Sequence, residues 1–265
     1  MLGRFDFMKN LINWKLFFIL LVACVITSLM VVPYTLDLTS SEVEITPVLL
    51  LLSMAQNLFL YAIAVFFGLF LSKPIGMRLP ILQGALQGKN QTKELKSILP
   101  PSIVWGVLAG ILIVIFSIPF NRLIPEFRNM EVSVPAWKAF LASFYGGIAE
   151  EVLLRLFLVS LFVWITYKIK KDKDGGPTAF GIWLSIVLAS VIFGLGHLPA
   201  TAQIVPLSGA VITRAIVLNG IGGIVFGWLY WKKGLESAII AHFSADIVLH
   251  VVTPYIAGSV LGGKI

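Results

Sequence analysis

The sequence predicts an all-α fold: a polytopic transmembrane helix bundle of about seven spans, built as a single membrane-embedded domain over residues 1–265. Three observations carry this prediction. Of the 265 residues, 58% are hydrophobic and only 12% are charged, against about 25% charged in soluble domains, and the mean hydropathy is +0.95. The apolar runs approach the roughly 20 residues that a bilayer core requires. Basic residues collect in alternate loops, the pattern that sets topology in membrane proteins. The formal net charge of +7 is therefore read as topological, and no nucleic-acid partner is expected. The one cysteine, Cys24, lies in an apolar run, which excludes an internal disulfide and a cysteine-based metal site.

The first span is read as Trp14 to Tyr34. A secretory signal would have a shorter apolar core and a small-residue cleavage site, so this run is read as an anchor. The following loop, Thr35 to Thr46, carries Asp37, Glu42 and Glu44 and no Lys or Arg. Val48 to Ser72 is the second span. A long polar loop with Lys73, Arg78, Lys89, Lys93 and Lys96 then leads to the third, Pro101 to Phe120. Asn121 to Pro135 balances Arg122 and Arg128 against Glu126 and Glu131. Residues 1–135 thus form the N-terminal spans.

A fourth helical stretch begins near Ala136 and runs to Tyr167, longer than one crossing at about 1.5 Å per residue. Trp137 and Lys138 suit an interfacial anchor for its first turns. The basic turn Lys168–Pro177 follows. Thr178 to His197 is the fifth span, Ala210 to Trp231 the sixth, and Leu235 to Val252 the seventh, stopped by Pro254. Basic residues fall at the N-terminus (Arg4, Lys9, Lys15), after the second and fourth spans, and at Lys232–Lys233. This alternation places the N-terminus in the cytoplasm and the C-terminus outside, in a multi-pass cell-membrane protein. An eighth span in the C-terminal tail stays open. Gly223 and Gly227 form a small-xxx-small pair, read as a helix-packing face.

Chemistry is concentrated in three short stretches. Glu150, Glu151 and Arg155 lie inside an apolar run, where ionisable side chains cost about 2.5–3.5 kcal/mol each and usually mark function. Glu151 and Arg155 stand at i and i+4, with the acid on the N-terminal side, the favourable order for a pair. Glu150 projects about 100° round the helix, free to take and give protons. Gly146 and Gly147 leave space one turn earlier. A buried ion pair that fixes packing accounts for Glu151 and Arg155 as well as chemistry does. The second stretch, Phe193-Gly194-Leu195-Gly196-His197, ends the fifth span, with Phe193 one turn before His197. In the third, His242 and Asp246 share a helical face, and His250 continues that face one turn further. Two acids and two histidines on three spans can converge only in the bundle interior.

These residues, in this order, resemble the CPBP family of intramembrane proteases, also called CAAX-protease or Abi proteins, whose pattern is Glu-Glu-x-x-x-Arg, Phe-x-x-x-His and His-x-x-x-Asn or -Asp on successive helices. The resemblance covers about residues 136–253, the expected catalytic core. It implies an all-helical membrane protease in which Glu150 and His197 activate water. His242 and Asp246 would hold the oxyanion or position the site, with Glu151, Arg155 and Phe193 in support. Asp246 departs from the Asn version, since an ionised carboxylate repels an oxyanion; it must be protonated, act through His242 or bind a metal. No metal site is assigned and no cofactor is certain. A metal-dependent member would use Glu150, His197, His242 and Asp246, a set suited to Zn²⁺, although no His-Glu-x-x-His motif is present. The expected partners are the lipid bilayer and a protein or peptide substrate, prenylated in the eukaryotic family members. Bacterial members are associated with peptide maturation and bacteriocin immunity. The resemblance also suggests a cavity open to the cytoplasm. The spans place His197 near the outer end of the fifth span and His242 in the inner half of the seventh, an offset that the fold must bridge. A proton-coupled transporter is the competing class for intramembrane Glu, Asp and His, although no inverted repeat is seen. A non-catalytic scaffold that tolerates loss of Glu150 is the third.

Overall fold

The protein is described by a computed structural model that covers residues 12–39, 46–128 and 134–260. Arg4, Lys9, Glu42, Glu44, Glu131 and the tail that left room for an eighth span lie outside the described residues. Six helices are long and apolar enough to cross a membrane. A seventh crossing is interrupted: Ala136–Phe144 and Ser160–Ile169 are α-helical, and the stretches between them, Tyr145–Glu150 and Val152–Val159, are π-helical. The architecture is therefore the expected all-helical polytopic bundle.

Several boundaries differ from the sequence reading, each for a physical reason. The third span does not start at Pro101. Its helix runs from Thr92 to Leu123, 32 residues with Pro100, Pro101 and Pro119 inside it; neighbouring helices and local adjustments make such prolines tolerable in membrane helices. Lys93 and Lys96 therefore ride on its first turns rather than in a loop. The polar loop before it contains a short helix, Pro80–Leu86, pinned where Leu82 N–H donates to Glu236 Oε1 at 2.9 Å. The first span does not end at Tyr34. Trp14–Met30 breaks at Val31 and a second helix, Val32–Thr39, continues the run. Nor does Pro254 stop the seventh span. Leu235–Asp246 passes through a π segment, Ile247–Val252, into Thr253–Val260. Pro254 sits inside this continuous run, just after the π segment, where local adjustments and neighbouring helices make a proline tolerable as in the third span. The fifth span, Ala179–Gly196, is capped by Thr178, whose Oγ1 accepts from Gly181 N–H at 3.0 Å.

Close approach of small residues sets the packing. Gly223 and Gly227 lie directly against Ser190 and Ile186 of the fifth span, and Gly68 of the second lies against Leu156. Ser102 and Ser237 share a 2.6 Å hydrogen bond across the third and seventh spans. In a bilayer, where apolar surface gives helices no preference for one another, small contact residues and buried hydroxyl pairs supply the association. The sharp corner between the sixth and seventh spans is Gly234, at φ 102°, a left-handed geometry that favours glycine. Leu235 N–H there donates to Arg78 O at 3.0 Å, which ties the loop after the second span to this corner.

Candidate active site

The fourth span carries the site, and its π segments bracket the acidic pair. A π-bulge widens the helix by one residue and commonly occurs at functional positions. A Cβ on Gly146 would collide with the Asp246 carboxylate, and one on Gly147 would come within 3.2 Å of Ile239 O and Phe243 Cβ. The two glycines are therefore what let the seventh span lie against the fourth with His242 and Asp246 facing Glu150.

Glu151 is the centre of the buried electrostatics. Its side chain is 0% exposed, and Oε1 lies 2.8 Å from Arg155 Nη1 and 2.7 Å from His242 Nδ1. The Arg155 contact is an ion pair whose angle falls outside hydrogen-bond geometry; the His242 contact is a true hydrogen bond. A carboxylate accepts, so His242 donates through Nδ1 and presents Nε2 to the other side. There Nε2 stands 3.7 Å from Glu150 Oε2 and 3.6 Å from Asp246 Oδ1. These spacings are just beyond hydrogen bonding, as is common in catalytic sites without substrate. Aromatic rings hold the imidazole and the guanidinium. His242 stacks on Phe226 at 4.6 Å and 22°, and meets the edge of Phe193 at 5.8 Å. The Arg155 guanidinium lies 5.1 Å from the centre of Phe193 and 5.3 Å from that of Phe226, a cation–π arrangement worth more when desolvated.

His197 caps the fifth span. Its Nδ1 lies 2.9 Å from Phe193 O. A carbonyl only accepts, so Nδ1 carries the proton and Nε2 keeps its lone pair. The Phe193 ring lies 4.8 Å from His197 and 5.8 Å from His242. Phe193 thus spans the offset in depth that the separate helices predicted. Glu150, His197, His242 and Asp246 all line one cavity of about 310 Å³.

Sequence reasoning placed Glu151 and Arg155 as a pair but missed that Glu151 also orients His242. The signal was absent, because the two residues are 91 positions apart. It also missed the contribution of the first span. Tyr34 lines the same cavity, with its hydroxyl 3.2 Å from His250 Nδ1, and Asn219 adds a further polar wall. Asp37, a few residues after Tyr34, is held by Lys138 Nζ at 2.6 and 2.7 Å.

Among the described residues no group of three or more His, Cys, Asp or Glu side chains is arranged to hold a metal ion. The residues as placed do not fit Zn²⁺.

Residues 132–248 match the family model described as Rce1-like, type II CAAX prenyl endopeptidase Rce1-like. No curated protein and no solved structure matches the chain. The matched segment contains all three motifs. It leaves out Tyr34 and His250.

Proposed function

Because residues 132–248 carry the domain of the CPBP, or CAAX-protease, family, we propose that this chain is an intramembrane endopeptidase that hydrolyses a peptide bond of a membrane-associated protein or peptide. The observation that carries this reading is the convergence of Glu150, His197, His242 and Asp246 on one interior cavity. A carboxylate and an imidazole with a bare Nε2 can divide general-base work between them. Glu150, assisted by His197, takes a proton from water as the water oxygen attacks the scissile carbonyl carbon. The same proton then goes to the departing amine as the C–N bond breaks. His242, when protonated at Nε2, donates to the oxyanion, the kind of preorganised contact that supplies much of catalysis. Asp246 acts through His242, which removes the difficulty of a carboxylate facing an oxyanion directly. Glu151 is a positioning residue: it fixes the His242 tautomer, with Arg155 neutralising it. Prenylated C-termini are one substrate of this kind in the family; a maturing or incoming peptide is another.

The alternation of basic loops supports a cytoplasmic N-terminus, with the C-terminal end of the seventh span on the opposite side. The test of the proteolytic reading needs no substrate guess. Membranes from cells expressing wild type or Glu150→Gln at equal levels are profiled for peptide termini. Termini present with wild type and absent with the variant are expected. Identical profiles would overturn the reading in favour of a carrier or scaffold.

A further inference from the structure

His250 is the one histidine that the proposed reaction leaves unused. It lines the catalytic cavity together with Tyr34, and its Nδ1 lies 3.2 Å from the Tyr34 hydroxyl. The two rings meet edge to face, with centroids 5.6 Å apart. A phenol carries one polar hydrogen, a neutral imidazole carries one, and their shared bond uses one of the two. One donor is therefore left over whichever way the bond points, either His250 Nε2–H or Tyr34 O–H. Asn219, on the sixth span, lines the same cavity. Its Nδ2 donates to Ala215 O at 2.9 Å, and its Oδ1 accepts no hydrogen bond among the described residues. The cavity wall thus holds a spare acceptor as well as a spare donor.

The antiparallel register of the sixth and seventh spans brings these groups to one level. Phe226 and His242 lie equally far along the chain from the corner at Gly234, and their rings stack at 4.6 Å. Asn219 and His250 are almost equidistant from the same corner, about two turns further out. At about 1.5 Å per residue, that level stands roughly 10–12 Å along the cavity from His242, toward the mouth lined by Tyr34, Thr35 and Leu38. An extended peptide covers this distance in about three residues, at about 3.3 Å each. A backbone peptide unit offers one N–H and one C=O, the complement of the spare acceptor and the spare donor. We propose that Asn219 and the Tyr34–His250 pair form a subsite that holds one backbone peptide unit of the substrate about three residues from the scissile bond. The inference deepens the proteolytic reading and rests on it for the position of the cut. Tyr34 and His250 lie outside the segment matched by the family model, which therefore assigns them no part.

The test takes its probe by binding rather than by cleavage. A peptide library is passed over full-length Glu150→Gln protein in lipid nanodiscs. A retained peptide is then resynthesised with single backbone amides replaced by esters, which removes the N–H and weakens the C=O as an acceptor. One ester position is expected to weaken binding about three- to tenfold, the worth of neutral hydrogen bonds. Adding Asn219→Leu is expected to abolish that sensitivity. With wild type, the same ester should raise KM by that factor and leave kcat unchanged, as for a contact kept throughout the reaction. At the other wall, at least one of Tyr34→Phe and His250→Leu should keep affinity within about twofold, because each leaves one donor behind; the double variant should lose it. If the pair were only a tether between the first and seventh spans, either single change would act like the double one, and the inference would fall. Retention of no peptide, equal affinity for every ester, or ester sensitivity that survives Asn219→Leu would also overturn it. Peptides that bind with the expected ester dependence but are not cut by wild type would instead overturn the proteolytic reading and leave the subsite standing.

Discussion

Two acid–base pairs in this molecule have similar chemistry and different surroundings. Glu151–Arg155 is sealed in the bundle, at 0% and 2% side-chain exposure, while Asp37–Lys138 sits at the mouth of the cavity at 29% and 21%. The mouth pair has the better contacts, two charge-assisted hydrogen bonds at 2.6 and 2.7 Å. Yet the buried pair is the one whose loss is expected to cost more. Water can solvate Asp37 or Lys138 if either loses its partner, and cannot reach Glu151 or Arg155. The difference teaches that depth, not contact distance, sets what an ion pair contributes here. It also explains why the buried acid can serve a second purpose: unable to find water, Glu151 is held to Arg155 and His242 alone.

The sharpest way to break the comparison is Arg155→Met. It leaves the Glu151 carboxylate buried without a cation and is expected to cost about 3–5 kcal/mol, seen as loss of folded protein or a strong drop in the thermal midpoint in detergent. The double change Glu151→Leu with Arg155→Met should recover much of that loss, because no buried charge remains. A double variant as unstable as the single one would mean that the pair is held by something other than charge compensation. Glu151→Gln is the next test. The amide oxygen can still accept from His242, but the charge is gone and the grip loosens. Cleavage should fall about 10²-fold, the scale of an ångström of misplacement, and folded yield should fall with it, because Arg155 is left buried without its carboxylate. Gly146→Ala follows, since the added methyl runs into the Asp246 carboxylate; a loss of about tenfold in kcat is expected from displaced polar groups, read in the same assay. Smallest is Asp37→Asn at the mouth, expected to shift stability by no more than about 1 kcal/mol. A larger shift would show that this end is less wet than its exposure indicates.

Much of the site could be read in the sequence because helices carry local information. Glu151 with Arg155, Phe193 with His197, and His242 with Asp246 are each separated by four positions, and four positions on a helix make neighbours. Contacts between helices carried no such signal. The bond from Glu151 to His242 spans 91 positions and that from Tyr34 to His250 spans 216, and no periodicity connects them. The seven crossings were visible as apolar runs. Their ends were less so, because proline marks a helix end in water but is accommodated within a membrane helix. That is why Pro101 was read as a start and Pro254 as a stop. The π segments around Glu150 had only Gly146–Gly147 to announce them, and two glycines equally announce close packing.

The central claim is that Glu150 drives peptide hydrolysis in a cavity held together by other residues. The most direct test uses purified protein in lipid nanodiscs and a peptide identified from the terminus profiles. Cleavage rate and thermal midpoint are measured together for wild type and Glu150→Gln. The account predicts a rate loss of about 10²–10⁴-fold, the range for removing a general base, with an unchanged midpoint, since among the described contacts Glu150 makes no hydrogen bond and approaches His242 only to 3.7 Å. Cleavage by Glu150→Gln at the wild-type rate would contradict it.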